Sequence, residues 1–387
     1  MLWRFSPKRN EQDQAVEQEY MQMALDLAER GRGLVSPNPL VGAVLVKDGE
    51  IVGKGFHRYN ERKHAEILAL EEAGERASGA SLYINLEPCS HYGRTPPCAE
   101  ALVESGVARV VAAMQDPNPL VAGRGFELLR RAHIQVEVGL LEKEARRLNE
   151  KFIKFITTAR PFVLLKVASS LDGRIATRAR HSRWITGEQA RLASQEMRYE
   201  YDAILVGIET VLKDDPELLM RLDRQKHRPL ARVILDSNLR IPLQSKLVQT
   251  ARRAPLLIFS GEKSSQEKKR QLEESGAAVI TMPDRAGRLD IRSVLDYLGN
   301  RQITSLIVEG GAEVSAAFLE ARLVDKVTFF IAPKIIGGRN AVPAIGGEGI
   351  VSLEEAIELE DVTFVRRGRD IEVTGYPLWR EFRQKRV

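Results

Sequence analysis

Four residues in the first third of this chain could do metal chemistry together: His64, Glu66, Cys89 and Cys98. One imidazole and two thiolates make the ligand set that zinc takes at catalytic sites, where three protein ligands leave a fourth position open to water. The chain has only two cysteines, and both belong to this set. Glu66 stands two residues beyond His64, so it can reach the site without being a ligand. Zinc brings the pKa of a bound water to about 7, and the resulting hydroxide can attack a ring carbon that bears an amino group. A carboxylate beside the metal then carries the proton to the departing ammonia. His64, Cys89 and Cys98 are therefore the expected ligands of one Zn2+ per chain, with Glu66 as the catalytic proton carrier. His64 alone would read as a satisfied surface or core histidine. Eight residues separate the cysteines, so the short zinc-deaminase signature, with two between them, does not match.

The elements that must position these residues follow from hydrophobic period and turn chemistry. Glu17–Arg30 reads as an amphipathic helix with Met21, Leu25 and Ala28 on one face. Val41–Val46 and Ile51–Phe56 read as a hairpin about Asp48-Gly49, since Asp-Gly tolerates positive φ. Helices at His64–Ala73 and Pro97–Ser105, strands at Ser81–Leu86 and Arg109–Ala113, and one long helix over Glu142–Thr157 follow. Both ligand groups then fall where strands hand over to helices, at the carboxyl edge of a mostly parallel sheet. Helix N-termini also favour the thiolate that the metal requires. Pro161 ends the long helix, which places the domain boundary between residues 159 and 160. The second half again alternates strands and helices and ends in an antiparallel hairpin.

The bulk numbers narrow the function. A chain of 387 residues exceeds what one hydrophobic core usually serves, so two domains are expected. Aromatics at 6% argue against a base-stacking nucleic-acid binder. The net charge of +5 fits pockets for small phosphorylated anions as well as a slightly basic surface, and the C-terminal Arg380, Arg383, Lys385 and Arg386 fall under the second reading. Two cysteines, no apolar run of bilayer length and no apolar signal core in Met1–Asn10 point to a cytoplasmic protein with a loose leader.

Pro88-Cys89-Ser90-His91-Tyr92-Gly93-Arg94-Thr95-Pro96-Pro97-Cys98 closely resembles the bifunctional riboflavin-biosynthesis deaminase/reductase family. So do Ser36-Pro37-Asn38-Pro39-Leu40-Val41-Gly42 and Met114-Gln115-Asp116-Pro117-Asn118-Pro119. The long insert between the cysteines is that family's own pattern. The loop Asn60-Glu61-Arg62-Lys63 departs from the Gly-Glu-Pro-like turn of its relatives. The resemblance implies an α/β chain. Residues 1–159 would be a cytidine deaminase-like three-layer α/β/α domain, and residues 160–387 a dihydrofolate reductase-like α/β domain. It implies deamination of 2,5-diamino-6-(5-phosphoribosylamino)pyrimidin-4-one, with Asn38 and His91 touching the pyrimidine. The bland alternative for Asn38 is a turn residue between two prolines.

In the second half the residues alone say less. No strand is followed by Gly-x-Gly-x-x-Gly, so a Rossmann site is not indicated. Leu306–Val308 runs into Gly310-Gly311 and a helix over Ala312–Glu320, which suits a phosphate cradle or a packing glycine pair. Lys166–Arg174, Ser182–Thr186 and Val206–Pro216 read as polar strand ends and loops. These match the reductase half of the same family, which implies NADPH as hydride donor and reduction of the ribosyl group to ribityl. By position, the cofactor would be held by Ala168, Trp184, Thr210, Asp214, Ser237 and the Gly311–Ala317 loop (Gly311, Ala312, Glu313, Val314, Ser315, Ala316, Ala317). The substrate would be held by Lys166, Ser182, Arg198, Leu218, Arg221 and Glu309. Arg198 and Arg221 suit phosphate clamps, because a guanidinium binds phosphate bidentately; exposed helix arginines are the bland alternative. The resemblance also implies a small-molecule substrate, no nucleic acid, no membrane, and a homo-oligomer, a dimer through the reductase half. Two rival readings are a nucleic-acid or nucleotide deaminase with an accessory binding domain, and a zinc-stapled scaffold. The first wants a basic stripe with interleaved aromatics, and the second a fourth protein ligand.

Overall fold

The computed structural model describes residues 11–92, 96–119, 121–285 and 287–379. The leader, the C-terminal basic cluster and residues 93–95 of the cysteine segment lie outside them. The chain divides into two compact units, Met1–Thr158 and Ala159–Val387.

In the first unit, α1 (Glu11–Glu29) buries Met21, Leu25 and Ala28 against β1 (Gly42–Lys47), as the apolar stripe requires. β1 turns through Asp48-Gly49, both at positive φ, into β2 (Glu50–Phe56). Then come α2 (Ala65–Ala73), β3 (Ser81–Ile84), α3 (Cys98–Glu104), β4 (Arg109–Ala112), α4 (Arg124–Arg131) and β5 (Gln135–Val138). The sheet order is β2-β1-β3-β4-β5. β1 pairs antiparallel with both β2 and β3, whereas β3-β4 and β4-β5 are parallel. The sheet is thus half antiparallel, not mostly parallel as expected. Two reversals about β1 leave β2 and β3 running the same way, so their carboxyl ends share one edge. That is why His64, after β2, and Cys89, after β3, can meet.

α2 lies close on β2. A Cβ at Gly55 would stand 2.3 Å from the carbonyl oxygen of Ala65, and one at Gly53 2.1 Å from that of Ala69. Only glycine permits this approach, which sets the helix that carries Glu66. The long helix expected over Glu142–Thr157 is instead two, α5 (Glu142–Leu148) and α6 (Glu150–Thr158). Asn149 breaks it: its buried side chain accepts from the Leu40 N–H at 2.8 Å and donates to the Leu40 carbonyl at 2.9 Å.

The second unit opens with β6 (Phe162–Ser170), β7 (Arg174–Ala176) and α7 (Glu188–Glu200). β8 (Ala203–Gly207), α8 (Ile208–Asp214), β9 (Ala231–Leu235), α9 (Lys246–Gln249), β10 (Leu256–Gly261), α10 (Gln266–Glu274) and β11 (Ala278–Met282) follow. After a small hairpin of β12 (Asp284–Arg285) and β13 (Arg288–Leu289) come α11 (Ile291–Asn300), β14 (Ser305–Val308), α12 (Ala312–Glu320) and β15 (Lys326–Ala332). The unit ends with β16 (Val342–Pro343), β17 (Glu358–Arg367) and β18 (Asp370–Leu378). The main sheet runs β11-β10-β9-β8-β14-β6-β15-β18-β17, parallel as far as β15, with the expected antiparallel hairpin at the end. Val163, Leu165, Leu205, Val233, Leu306 and Val308 are buried on one face and Leu164, Ile204, Val206, Ile234 and Ile307 on the other, the continuous apolar runs of strands covered on both faces. Val206–Pro216, expected as loop, contains α8. Lys166 lies inside β6 and not at its end. Among the described residues no helix is long and apolar enough to cross a membrane.

Candidate active sites

His64 is the N-cap residue of α2, and Cys98 is the first residue of α3. His64 Nδ1 lies 3.2 Å from Cys98 Sγ and 3.5 Å from Cys89 Sγ, and the three ligand atoms all fall within 4.8 Å of one another. Tetrahedral zinc, with its bond lengths to nitrogen and sulfur, would hold such a nitrogen and sulfur about 3.6 Å apart. The donors therefore fit one zinc ion, and among the described residues no fourth His, Cys, Asp or Glu joins the group.

Glu66, 3% exposed, sits in the first turn of α2, and its Oε2 has no hydrogen-bond partner. Burial first, and the neighbouring Cys89 thiolate second, push its carboxyl up to about 7. Hydrogen bonding from Cys98 holds the Cys89 thiol down to about 4, and the same contact pushes Cys98 up. A buried cluster with an orphaned carboxylate oxygen suits a site completed by a cation and a water.

Asn38 is not merely a turn residue. Its Nδ2 lies 3.0 Å from Nε2 of buried His57, whose Nδ1 lies 3.0 Å from the Lys63 carbonyl oxygen. Nδ1 therefore carries the proton and Nε2 accepts from Asn38. The His57 ring also packs edge-on to His64, with centroids 5.3 Å apart. His91 is exposed. The sequence reading overlooked His57, although a histidine at a strand end seven residues before a proposed ligand is a usable signal. It also overlooked Glu87, directly before Pro88-Cys89.

In the second unit a cavity of about 940 Å³ gathers Lys166, Ala168, Ser182, Trp184, Arg198, Thr210, Asp214, Leu218, Arg221, Glu309 and Gly311. Seven expected cofactor residues are not in its wall. Ser237 follows β9 and is not among the lining residues. Ala312, Glu313, Val314, Ser315, Ala316 and Ala317 form the first turns of α12 and not a loop, with Ala312, Ser315 and Ala316 buried. Gly311 caps the helix in an extended conformation, and Phe318 packs it into the core with strand residues such as Leu205 and Val308. What α12 offers the cavity is its N-terminus, where first-turn N–H groups lack intrahelical acceptors. A Cβ at Gly311 would meet nothing closer than Thr210 Oγ1 at 3.9 Å, so there is room for a ligand to approach. Cavity size, glycine gap and helix end together fit a phosphate-bearing dinucleotide.

Arg198 Nη2 donates to Glu309 Oε2 at 2.9 Å, and Arg198 Nη1 to the Leu219 carbonyl oxygen. Lys166 Nζ is 3.9 Å from Glu309 Oε1, which has no hydrogen bond. Burial lowers the Lys166 pKa, and Glu309 opposes that shift. Burial would raise Glu309, but Arg198 and Lys166 outweigh it and hold it down. Arg221 is mostly exposed. Trp184 is 63% exposed, not core, and the Arg191 guanidinium lies 4.8 Å from its ring centroid. Arg191 is a cavity residue that no motif had marked.

Known proteins resemble this chain over both units. Residues 14–114 match the cytidine and deoxycytidylate deaminase zinc-binding region, and residues 161–373 match the RibD C-terminal domain. The riboflavin biosynthesis protein RibD of Aquifex aeolicus is 43% identical over 92% of this chain and 97% of its own length. That of Escherichia coli is 45% identical over 82% and 88%. The solved structure of Acinetobacter baumannii RibD superposes with a TM-score of 0.84, at 38% identity, over 95% of this chain and all of its own. A Thermotoga maritima structure, described as a diaminohydroxyphosphoribosylaminopyrimidine deaminase/5-amino-6-(5-phosphoribosylamino)uracil reductase, gives 0.81 at 37% identity over the same shares.

Proposed function

This chain belongs to the RibD family of riboflavin-biosynthesis deaminase/reductases, and on that premise we propose which of its residues perform the two reactions. The enzyme is bifunctional, a zinc-dependent hydrolase and an NADPH-dependent oxidoreductase. Its substrate is 2,5-diamino-6-(5-phosphoribosylamino)pyrimidin-4-one and its product 5-amino-6-(5-phosphoribitylamino)uracil.

Residues 1–159 form the deaminase and 160–387 the reductase. His64, Cys89 and Cys98 hold the zinc. When bound, zinc supplies a water acidic enough to react near neutral pH. Glu66, buried beside it with one oxygen unpartnered, carries a proton to the amino nitrogen that leaves as ammonia, while water oxygen takes its place on the ring. Asn38 presents its amide to the pyrimidine, held in place by His57, and exposed His91 is the second proposed pyrimidine contact. The single observation carrying this reading is the juxtaposition of one imidazole, two sulfurs and an orphaned carboxylate.

In the reductase, Ala168, Trp184, Thr210, Asp214 and the α12 N-terminus from Gly311 through Val314 receive NADPH, which supplies hydride when bound. Ser237 and Ala312–Ala317 do not line the cavity; they remain proposed cofactor contacts, Ala312–Val314 through the N–H groups of the first helical turn. Reducing ribosyl to ribityl breaks the bond between the anomeric carbon and the ring oxygen. The carbon takes hydride and the oxygen takes a proton. Lys166, whose ammonium form Glu309 favours against burial, is the cavity group placed to give that proton. Ser182, Leu218, Arg198 and Arg221 line the substrate's phosphoribosyl portion.

The chain also pairs with a second copy through the reductase. Edge strand β17 is exposed almost throughout, with Phe364 72% exposed beside Val362 and Val365. Such an edge invites pairing. A Phe364→Asp variant should run as a monomer in light scattering, and unchanged mass would refute the assignment. The cytoplasm suits two cysteines that are both committed to zinc. The test of the whole reading is to give the protein substrate and NADPH and to follow ammonia and NADPH absorbance together. Ammonia should precede NADPH loss. NADPH loss without ammonia would refute the order, and ammonia alone would remove the reductase.

A further inference from the structure

Glu87 lies between β3 and the first cysteine ligand and is 3% exposed. A carboxylate buried this deeply must find donors, and Glu87 finds four, all backbone. Its Oε2 accepts from the N–H of Asp116 at 3.0 Å and of Gly123 at 2.9 Å. Its Oε1 accepts from Gly125 at 2.9 Å and Phe126 at 3.3 Å. Its own N–H donates to the Met114 carbonyl oxygen. One side chain thus satisfies both ends of the segment that joins β4 to α4.

That segment packs on the turn that carries Cys89: at one end the Glu87 N–H holds the Met114 carbonyl oxygen. At the other end, a Cβ on Gly125 would stand 2.0 Å from the Pro88 carbonyl oxygen, so this backbone lies directly on the residue before Cys89. The zinc ligands themselves do not touch Glu87 through any of these bonds.

We propose that Glu87 is a positioning residue of the deaminase: its carboxylate sets the backbone of Asp116, Gly123, Gly125 and Phe126 against the Pro88-Cys89 turn and so fixes the wall that receives the pyrimidine substrate. The proposal rests on the deaminase reading above. Its chemistry is specific to a carboxylate. Glutamine keeps the shape but offers only one acceptor oxygen, and its NH2 group would face two N–H donors.

The test is Glu87→Gln in the full-length holoenzyme, read by amide hydrogen exchange, zinc content and steady-state kinetics. Exchange at the amides of Asp116, Gly123, Gly125 and Phe126 should quicken at least about tenfold, while β3 and β4 stay protected and zinc stays at one per chain. Deaminase KM should rise about tenfold or more, more than kcat falls, because a displaced wall loses contacts that hold the substrate in ground and transition states alike. Reductase turnover of the deaminated substrate should stay within about twofold. Glu87→Asp, which keeps an acceptor for every N–H, should recover part of the protection. Gly125→Ala, whose Cβ would stand 2.0 Å from the Pro88 carbonyl oxygen and 3.1 Å from Glu87 Oε1, should displace the same wall and raise KM with zinc retained. Unchanged exchange and KM in Glu87→Gln would overturn the proposal. So would zinc loss in that variant, which would make Glu87 a support of the metal and not of the wall. If the unaltered protein releases no ammonia, the deaminase reading fails by itself, and the exchange result still decides whether Glu87 holds this backbone.

Discussion

Arg198 and Glu309 form an ion pair of 2.9 Å whose second carboxylate oxygen points instead toward Lys166, 3.9 Å away. Two cations thus share one buried carboxylate at the wall of the reductase cavity. Arg198 is thereby already engaged, with part of its fork remaining for substrate, so Arg221 is the more open of the two proposed phosphate contacts.

The Lys166 arrangement sets a pH dependence. Burial disfavours the ammonium and lowers its pKa, so the proton is lost at lower pH than from a free lysine near 10.4. Reductase kcat/KM should therefore fall on the alkaline side with a midpoint below that of free lysine. In Glu309→Gln, which removes the opposing carboxylate, the midpoint should move lower still. Lys166→Ala should cost about 10²-fold in reductase kcat, the scale of a lost general acid, with ammonia release unchanged. An alkaline limb that survives in Lys166→Ala would take the proton from this lysine.

Zinc removal should act on one unit only. The three ligands join the turn before α2, the turn after β3 and the start of α3 in the first unit, and no ligand comes from the second. At free zinc a thousandfold above its dissociation constant, binding stabilises the folded state by about 4 kcal/mol. Chelation should lower protection in β1, β3 and β4 by that amount and leave β8, β9 and β14 unchanged in hydrogen exchange. Equal loss in both sheets would contradict a site confined to the deaminase.

Asp172 gives a second pH test, in stability. It accepts from Ser170 Oγ and from the N–H groups of Ile336 and Gly337, which hold its carboxyl down at about 2. A carboxyl depressed on folding stabilises above its unfolded pKa, near 3.9, and that contribution is lost as pH falls toward 2. The second unit should weaken over that window, and Asp172→Asn should flatten the slope. An unchanged slope would show that this clamp does not feel the acid limb.

The metal site was legible in the sequence because its chemistry is carried by rare residues: two cysteines, and a histidine with a glutamate two residues on. Elements were legible where one face is apolar, as for Met21, Leu25 and Ala28. The antiparallel β1–β3 pairing was not, since pairing direction depends on long-range topology and no local signal marks it. Asn149 broke a helix through a contact with Leu40 far away in sequence, which periodicity cannot show. The cofactor segment after Gly311 was placed by family position, and the structure shows a helix whose end faces the cavity while its body does not. His57, Glu87 and Arg191 act through neighbours brought close only by folding, so their types drew no attention.

The central claim is that Glu66 carries the proton at a zinc held by His64, Cys89 and Cys98. The most direct measurement is ammonia release by Glu66→Gln with its zinc content determined on the same sample. The account predicts one zinc per chain, ammonia release down by at least about 10²-fold, and unaltered reduction of the deaminated substrate. A zinc-loaded Glu66→Gln protein that releases ammonia at the unaltered rate would contradict it.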